Sequence, residues 1–325
     1  MGVEIVLRKV MTAGAALIPL ISGIGAATAD TTPAAAVVRI DQLGPTRSKM
    51  LIDSPAMQRV VEVHVLHPDN DEPRPAYYLL DGVDSEPPET NWTQHTDIVR
   101  FFADKQVNVV LPVGGEGSYY TDWERPDPHL GGQLRWETFL TDELPPLIDK
   151  VFDGNGRNAI GGLSMGAASA AILATRHPDL YRGLATFSGC IDTLEPNAKL
   201  AIRESISWVG GNPDNMWGPD NDPAWQAHDP LANAEALRGK TIYVSVGNGA
   251  SGPETWSDPQ MPAAVTFGAL LEYAARLCTE EFQRRLGLLG VPATFVYREV
   301  GTHSWPYWQI DLHESWPAIA AALAE

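Results

Sequence analysis

Residues 159–171 read as a short apolar strand, a glycine corner and an alanine-rich helix. The corner, Gly162-Leu163-Ser164-Met165-Gly166, fits G-x-S-x-G, in which a serine sits on a strained strand-to-helix turn with its hydroxyl projecting above a sheet. The glycines let strand and helix backbones pass closely without Cβ clashes. A serine at the start of a helix also has a backbone N–H beside it where a tetrahedral oxyanion would form. Five-residue matches of this kind occur by chance in ordinary Gly-Ser loops. The preceding strand and the following helix are the context that the chemistry demands.

The rest of the chain alternates in the same way. Apolar strands are predicted over residues 60–66, 76–80, 107–113, 184–189, 241–246 and 293–300, several of them continuous apolar runs ended by glycine. Helices are predicted over 136–148, 267–286 and 315–324. Strands that are apolar on both faces, alternating with helices, call for a mostly parallel central sheet covered on two sides. With the serine corner, that is the α/β-hydrolase fold. No repeat or change of composition divides the 325 residues, so residues 30–325 read as one domain. Residues 208–230, rich in Gly, Pro, Asn and Trp, are too long for a turn and predict an excursion near the site.

The formal net charge of −18 argues against nucleic acid and against electrostatic docking on anionic lipid. Arg8 and Lys9 precede a mostly apolar run, and Ala27-Thr28-Ala29 then offers an A-x-A cleavage site. Residues 1–29 therefore read as a signal peptide, too short for a membrane span. Nothing later is apolar enough to cross a bilayer, which predicts an exported mature chain without a transmembrane segment. Cys190 and Cys278 lack metal-like spacing. Export would permit a disulfide between them, but two buried free thiols are the favoured reading.

A serine hydroxyl needs a base to take its proton, and in this fold the order along the chain is serine, acid, histidine. His64, His67, His95 and His129 precede Ser164. His177 reads as the end of the elbow helix, and His228 lies in the excursion. His303, in Gly301-Thr302-His303-Ser304-Trp305 after the last strand, is the favoured base, with His313 at the start of the final helix behind it. Glu254, Asp258 and Glu272 remain open as the acid. The second oxyanion N–H is expected in Asp81-Gly82-Val83-Asp84. A metallohydrolase is disfavoured, since Asp220-Asn221-Asp222 has no histidine at ligand spacing.

Further segments fall in the order of a known family. They include Tyr78-Leu79-Leu80-Asp81-Gly82, Leu111-Pro112-Val113-Gly114-Gly115, Tyr120-Thr121-Asp122-Trp123 and Trp136-Glu137-Thr138-Phe139-Leu140-Thr141. Met216-Trp217-Gly218-Pro219, Gly247-Asn248-Gly249, Leu271-Glu272 and Gly301–Trp305 with Tyr307-Trp308 continue the series. With these segments the chain resembles the antigen 85-type mycolyltransferases of mycolic-acid-bearing actinobacteria, among the esterase D-like α/β-hydrolases. The resemblance implies Ser164 as nucleophile, His303 as base and Glu272 as the acid that orients it, with the backbone N–H groups of Val83 and Met165 as oxyanion donors. It implies substrate contacts at Asp81, Asp192, Arg276, Ser304 and Trp305. At Asp84 the family pattern has an arginine against trehalose; a carboxylate cannot present the same forked donors.

The resulting expectation is a secreted serine acyltransferase that needs no cofactor and no metal. It would move a long-chain, mycolyl-type acyl group between trehalose or cell-wall carbohydrate hydroxyls. The rivals are a secreted carboxylesterase with the same triad and a non-catalytic envelope binding protein.

Overall fold

The computed structural model describes residues 34–85 and 87–325, so the predicted signal peptide lies outside the described residues. Nine strands form one sheet: β1 (Ala36–Gly44), β2 (Arg47–Ser54), β3 (Arg59–Leu66), β4 (Arg74–Leu80), β5 (Asn108–Pro112), β6 (Gly154–Leu163), β7 (Tyr181–Phe187), β8 (Thr241–Val246) and β9 (Thr294–Tyr297). Their order is β1-β2-β3-β5-β4-β6-β7-β8-β9. The pairs β1/β2, β2/β3 and β3/β5 are antiparallel, and every later pair is parallel. All five residues of β5 are buried, which is what the continuous apolar run required.

β1 and β2 were not among the predicted strands. β1 carries polar residues within it and leaves Val38 and Ile40 exposed at the sheet edge, so it lacks the apolar run by which the buried strands announce themselves. β9 is shorter than predicted: the Arg298 N–H still donates to Val246 O (2.9 Å), but the chain then turns so that Gly301 packs on Gly247.

The elbow helix, Met165–Arg176, is buried at all but its last residue, and its alanines let it lie close to the sheet. The predicted helix 136–148 is interrupted: a π turn, Phe139–Glu143, separates Trp136–Thr138 from Leu144–Val151. A long helix, Ala269–Leu289, follows another π turn and stops at left-handed Gly290. The final helix, Trp305–Ala324, begins ten residues before the predicted start. Ser304 holds the N-cap position and Pro306 fits the first turn; Pro317 is accommodated inside. His313 therefore lies within this helix, bonded to Asp97 Oδ1 (2.8 Å) and stacked on Phe101.

Residues 208–230 fold as two short helices, Asp214–Trp217 and Pro223–Ala227, around the buried rings of Trp217 and Trp225. Cys190 and Cys278 are not free thiols: they form a disulfide across a sequence separation of 88. The bridge ties the loop after β7 to the long helix. Local sequence cannot show such an encounter, because it depends on where helix and loop come to rest.

Candidate active site

Ser164 adopts φ 52° and ψ −119°, a region that disfavours a Cβ, and the surrounding packing holds it there. Its N–H donates to Phe187 O (2.9 Å) on the neighbouring strand. A Cβ on Gly162 would stand 2.5 Å from the Gly166 carbonyl, and one on Gly166 would stand 2.4 Å from Asp81 O. Both glycines are thus required for β6, the helix and the end of β4 to converge. Met165 opens the helix, where backbone N–H groups have no partner within the helix.

The loop after β4 borders the serine. A Cβ on Gly82 would lie 4.0 Å from Ser164 Cβ and 3.4 Å from Asp84 Oδ1. Gly117 N–H donates to Val83 O (3.0 Å), which fixes the orientation of the neighbouring peptide. Asp81 is buried; its Oδ2 accepts from Asn91 N–H (3.1 Å), while Oδ1 has no partner among the described residues. Burial pushes its carboxyl up to about 7; the Asn91 N–H opposes the rise and the nearby Asp84 charge adds to it. Asp84 itself is exposed, with Oδ1 accepting from Asn91 Nδ2 (3.3 Å).

Glu272, fully buried, sits in the first turn of the long helix. His303 Nδ1–H donates to its Oε2 (3.0 Å), and Oε1 accepts from Ser188 Oγ (2.8 Å) and Gly247 N–H (2.6 Å). Burial works to raise the Glu272 carboxyl, but the His303 bond and charge together with these donors outweigh it, and the group is held below the usual carboxylate range. Ser188 accepts from Trp308 Nε1 (3.0 Å), and the Trp308 ring stands edge-on to His303 at 4.9 Å. His303 N–H donates to Gly268 O (3.1 Å), tying the loop to the turn before the long helix. No hydrogen bond reaches Ser164 Oγ among the described residues; such contacts are often loose in unliganded hydrolases and close with substrate.

Of the three carboxylates left open by the residues alone, Glu272 is the one bonded to His303. Asp258 lines a cavity of ≈100 Å³ beside His303 and accepts from Gln260 N–H (2.8 Å), and Glu254 lies in the first turn of the short helix Pro253–Ser257. Ser304, Phe267 and Leu271 line the same cavity. Trp305 packs edge-on against Trp92 (5.5 Å) and Trp308 (5.1 Å). Arg276 pairs with Glu280 (3.1 Å) and covers the Tyr297 ring. Asp192 caps its own loop and lines a different cavity, of ≈410 Å³, with Asp229, Glu281 and Arg285. The structure therefore gathers Asp81, Val83, Asp84 and Met165 around Ser164, and Ser304 around His303. It sets Asp192 at another opening.

Sequence reading missed Ser188 and Gly247 as holders of Glu272. Both stand at the carboxyl ends of strands near the elbow strand, and that position was the available signal.

A model of the Esterase family ("Putative esterase") matches residues 54–319. A diacylglycerol acyltransferase/mycolyltransferase Ag85B of Mycobacterium intracellulare is 33% identical, over 96% of this chain and 92% of its own length. An Ag85A enzyme of the same description from Mycobacterium tuberculosis is 32% identical over 96% and 91%. The crystal structure of Mycobacterium tuberculosis MPT51 (FbpC1) superposes with a TM-score of 0.72 at 26% identity, covering 88% of this chain and 99% of that one.

Proposed function

The chain belongs to the esterase family, alongside its antigen 85 mycolyltransferase members, and from that premise we propose that it is a secreted acyltransferase working through an acyl-enzyme on Ser164. Its class, acyltransferase or serine esterase, follows from its relatives. The observation that carries the proposed mechanism is the buried Glu272 bonded to His303 Nδ1 and to Ser188, the residue after the Phe187 carbonyl that holds the N–H of Ser164 in its strained helix-opening turn. With Nδ1–H committed to Glu272, Nε2 is the nitrogen free to take a proton. His303 removes the Ser164 proton as Oγ attacks the acyl carbonyl, and the N–H groups of Met165 and Val83 receive the oxyanion. The imidazolium, stabilised by Glu272, returns its proton to the departing sugar oxygen. An acceptor hydroxyl, deprotonated by His303, then takes the acyl group, and Ser164 is regenerated.

A long acyl chain suits the surroundings. Phe267, Leu270, Leu271 and Leu277 are exposed on one side of the turn and helix that carry Glu272, and Phe267 and Leu271 reach the His303 cavity. Export to the cell envelope is part of the proposal; the disulfide suits an oxidising compartment, and no helix of the described residues is long and apolar enough to cross a membrane. Acylated trehalose is the proposed donor and trehalose or cell-wall carbohydrate the acceptor.

A second reading, hydrolysis, is favoured by exposed Asp84 beside Ser164, where a carboxylate offers a sugar acceptors but no forked donors. Incubation with trehalose monomycolate, with Ser164→Ala as blank, separates the readings by product mass. Diacyl-trehalose formed only by the unsubstituted protein supports transfer. Free acid alone makes the protein an esterase, and equal turnover by Ser164→Ala refutes the mechanism.

A further inference from the structure

On the Oε1 side of Glu272 lies a charged pair that the reaction described above does not use. Arg298 follows β9, and its largely buried guanidinium is bonded through Nη1 to Asp311 Oδ1 of the final helix. Its Nη2 stands 4.0 Å from Glu272 Oε1, and the Tyr307 ring lies 5.4 Å from its central carbon. Neither Nε nor Nη2 has a hydrogen-bond partner among the described residues, and Asp311 Oδ2 is likewise unpaired. A buried guanidinium with two unused donors is an expensive way to fill space, since a buried ion pair is commonly replaceable by apolar side chains at no loss of stability. What the arrangement provides is a fixed positive charge behind the carboxylate that holds His303.

We propose that Arg298 is a positioning residue for the acyl-transfer reaction, clamped by Asp311 and Tyr307 so that its charge keeps Glu272 anionic and turned with Oε2 on His303. The inference rests on the assignment of Ser164, Glu272 and His303 made above. The charged or titratable groups facing this cluster are Glu272 on the long helix, Tyr243 on β8, and Tyr307, Asp311 and Glu314 on the final helix. Asp258 faces His303 from the cavity side. Burial pulls the Arg298 guanidinium below its usual range, and the Glu272 charge opposes this. A positive charge here favours the carboxylate and disfavours the imidazolium. Removing it therefore moves protonation of both groups to higher pH, and His303 becomes an available base only at higher pH.

The test is the pH dependence of kcat/KM for a soluble short-chain ester, using the full chain. Arg298→Met combined with Asp311→Leu removes the pair without stranding a charge. The expected result is an unchanged melting temperature, an acidic limb displaced upward by about half a pH unit or more, and a several-fold fall in kcat with little change in KM. Arg298→Lys, which keeps the charge, should restore most of both. An unmoved limb with kcat within twofold of the unsubstituted protein would overturn the proposal. Should the double variant not fold, the same limb is compared between Arg298→Gln and Arg298→Lys, and coincident limbs overturn it equally. Titration of the His303 ring by NMR, with and without Arg298, reads the effect without turnover. If Ser164→Ala stays active, the triad assignment fails while this titration still decides what Arg298 does to His303.

Discussion

Replacing both members of the disulfide, Cys190→Ala with Cys278→Ala, should destabilise the protein by about 3–4 kcal/mol. The bridge spans a sequence separation of 88, and in the chain-entropy model a cross-link closing a loop of that size removes about 15 cal/mol/K from the unfolded chain. At 25 °C this amounts to about 4.6 kcal/mol, and observed effects commonly fall short because unfolded chains retain structure. The loss is a large share of the roughly 5–15 kcal/mol typical of a folded protein, but does not exhaust it. Urea unfolding followed by fluorescence of the 10 tryptophans measures it directly. The midpoint should fall and the slope m should rise, since the uncrosslinked chain exposes more surface when it unfolds. A loss below about 1 kcal/mol would refute the entropic account. The same variant separates two ways of holding Glu272. Ser188 and Gly247 grip its Oε1 directly, whereas the bridge acts only through the helix backbone. In the absence of urea kcat should therefore stay within about tenfold, and a larger fall would assign the positioning of Glu272 to the bridge.

Ser164→Ala should abolish turnover and leave the fold intact, checked by esterase assay and thermal melting; labelling of the unsubstituted protein alone by a fluorophosphonate would give the same answer covalently. Glu272→Gln should lower kcat by about 10³–10⁴-fold with a small change in KM, because the amide supports the wrong imidazole tautomer and no longer stabilises the imidazolium; a fall of under tenfold would remove Glu272 from the mechanism. Asp81 has its carboxyl raised from 3.8 to about 7, so the folded state retains a proton that the unfolded chain loses, and stability should decline as pH rises through that window. Asp81→Asn should therefore gain up to about 4 kcal/mol over the unsubstituted protein above about pH 7, with the gain vanishing towards pH 4; a difference constant with pH, followed by urea titration, would contradict this.

Much of this was legible locally. The parallel strands could be read because a strand buried on both faces carries a continuous apolar run, as Ala76–Leu80 does in β4, Val109–Leu111 in β5 and Ile242–Val244 in β8. The elbow could be read because its backbone passes through contacts that only glycine permits, at Gly162 and Gly166. The final helix starts ahead of its predicted residue because Ser304 at the N-cap position and the prolyl ring in the first turn fix the beginning, and Pro317 is accommodated inside it. β1 at the sheet edge and β2 beside it were missed because burial on at most one face leaves little apolar signal.

The sequence by itself determined the strands from β3 onward and the strained serine turn, since each depends on backbone geometry that neighbouring residues impose; the fold these imply then placed the base after the serine. The residues alone left the acid open and the resemblance pointed to Glu272; tertiary structure supplied its bond to His303, and it alone decided that Cys190 reaches Cys278 and that Arg298 stands behind Glu272. Those encounters join residues dozens of positions apart, and they depend on how the long helix, the final helix and the strand ends settle against one another. No local pattern of side chains carries that distance.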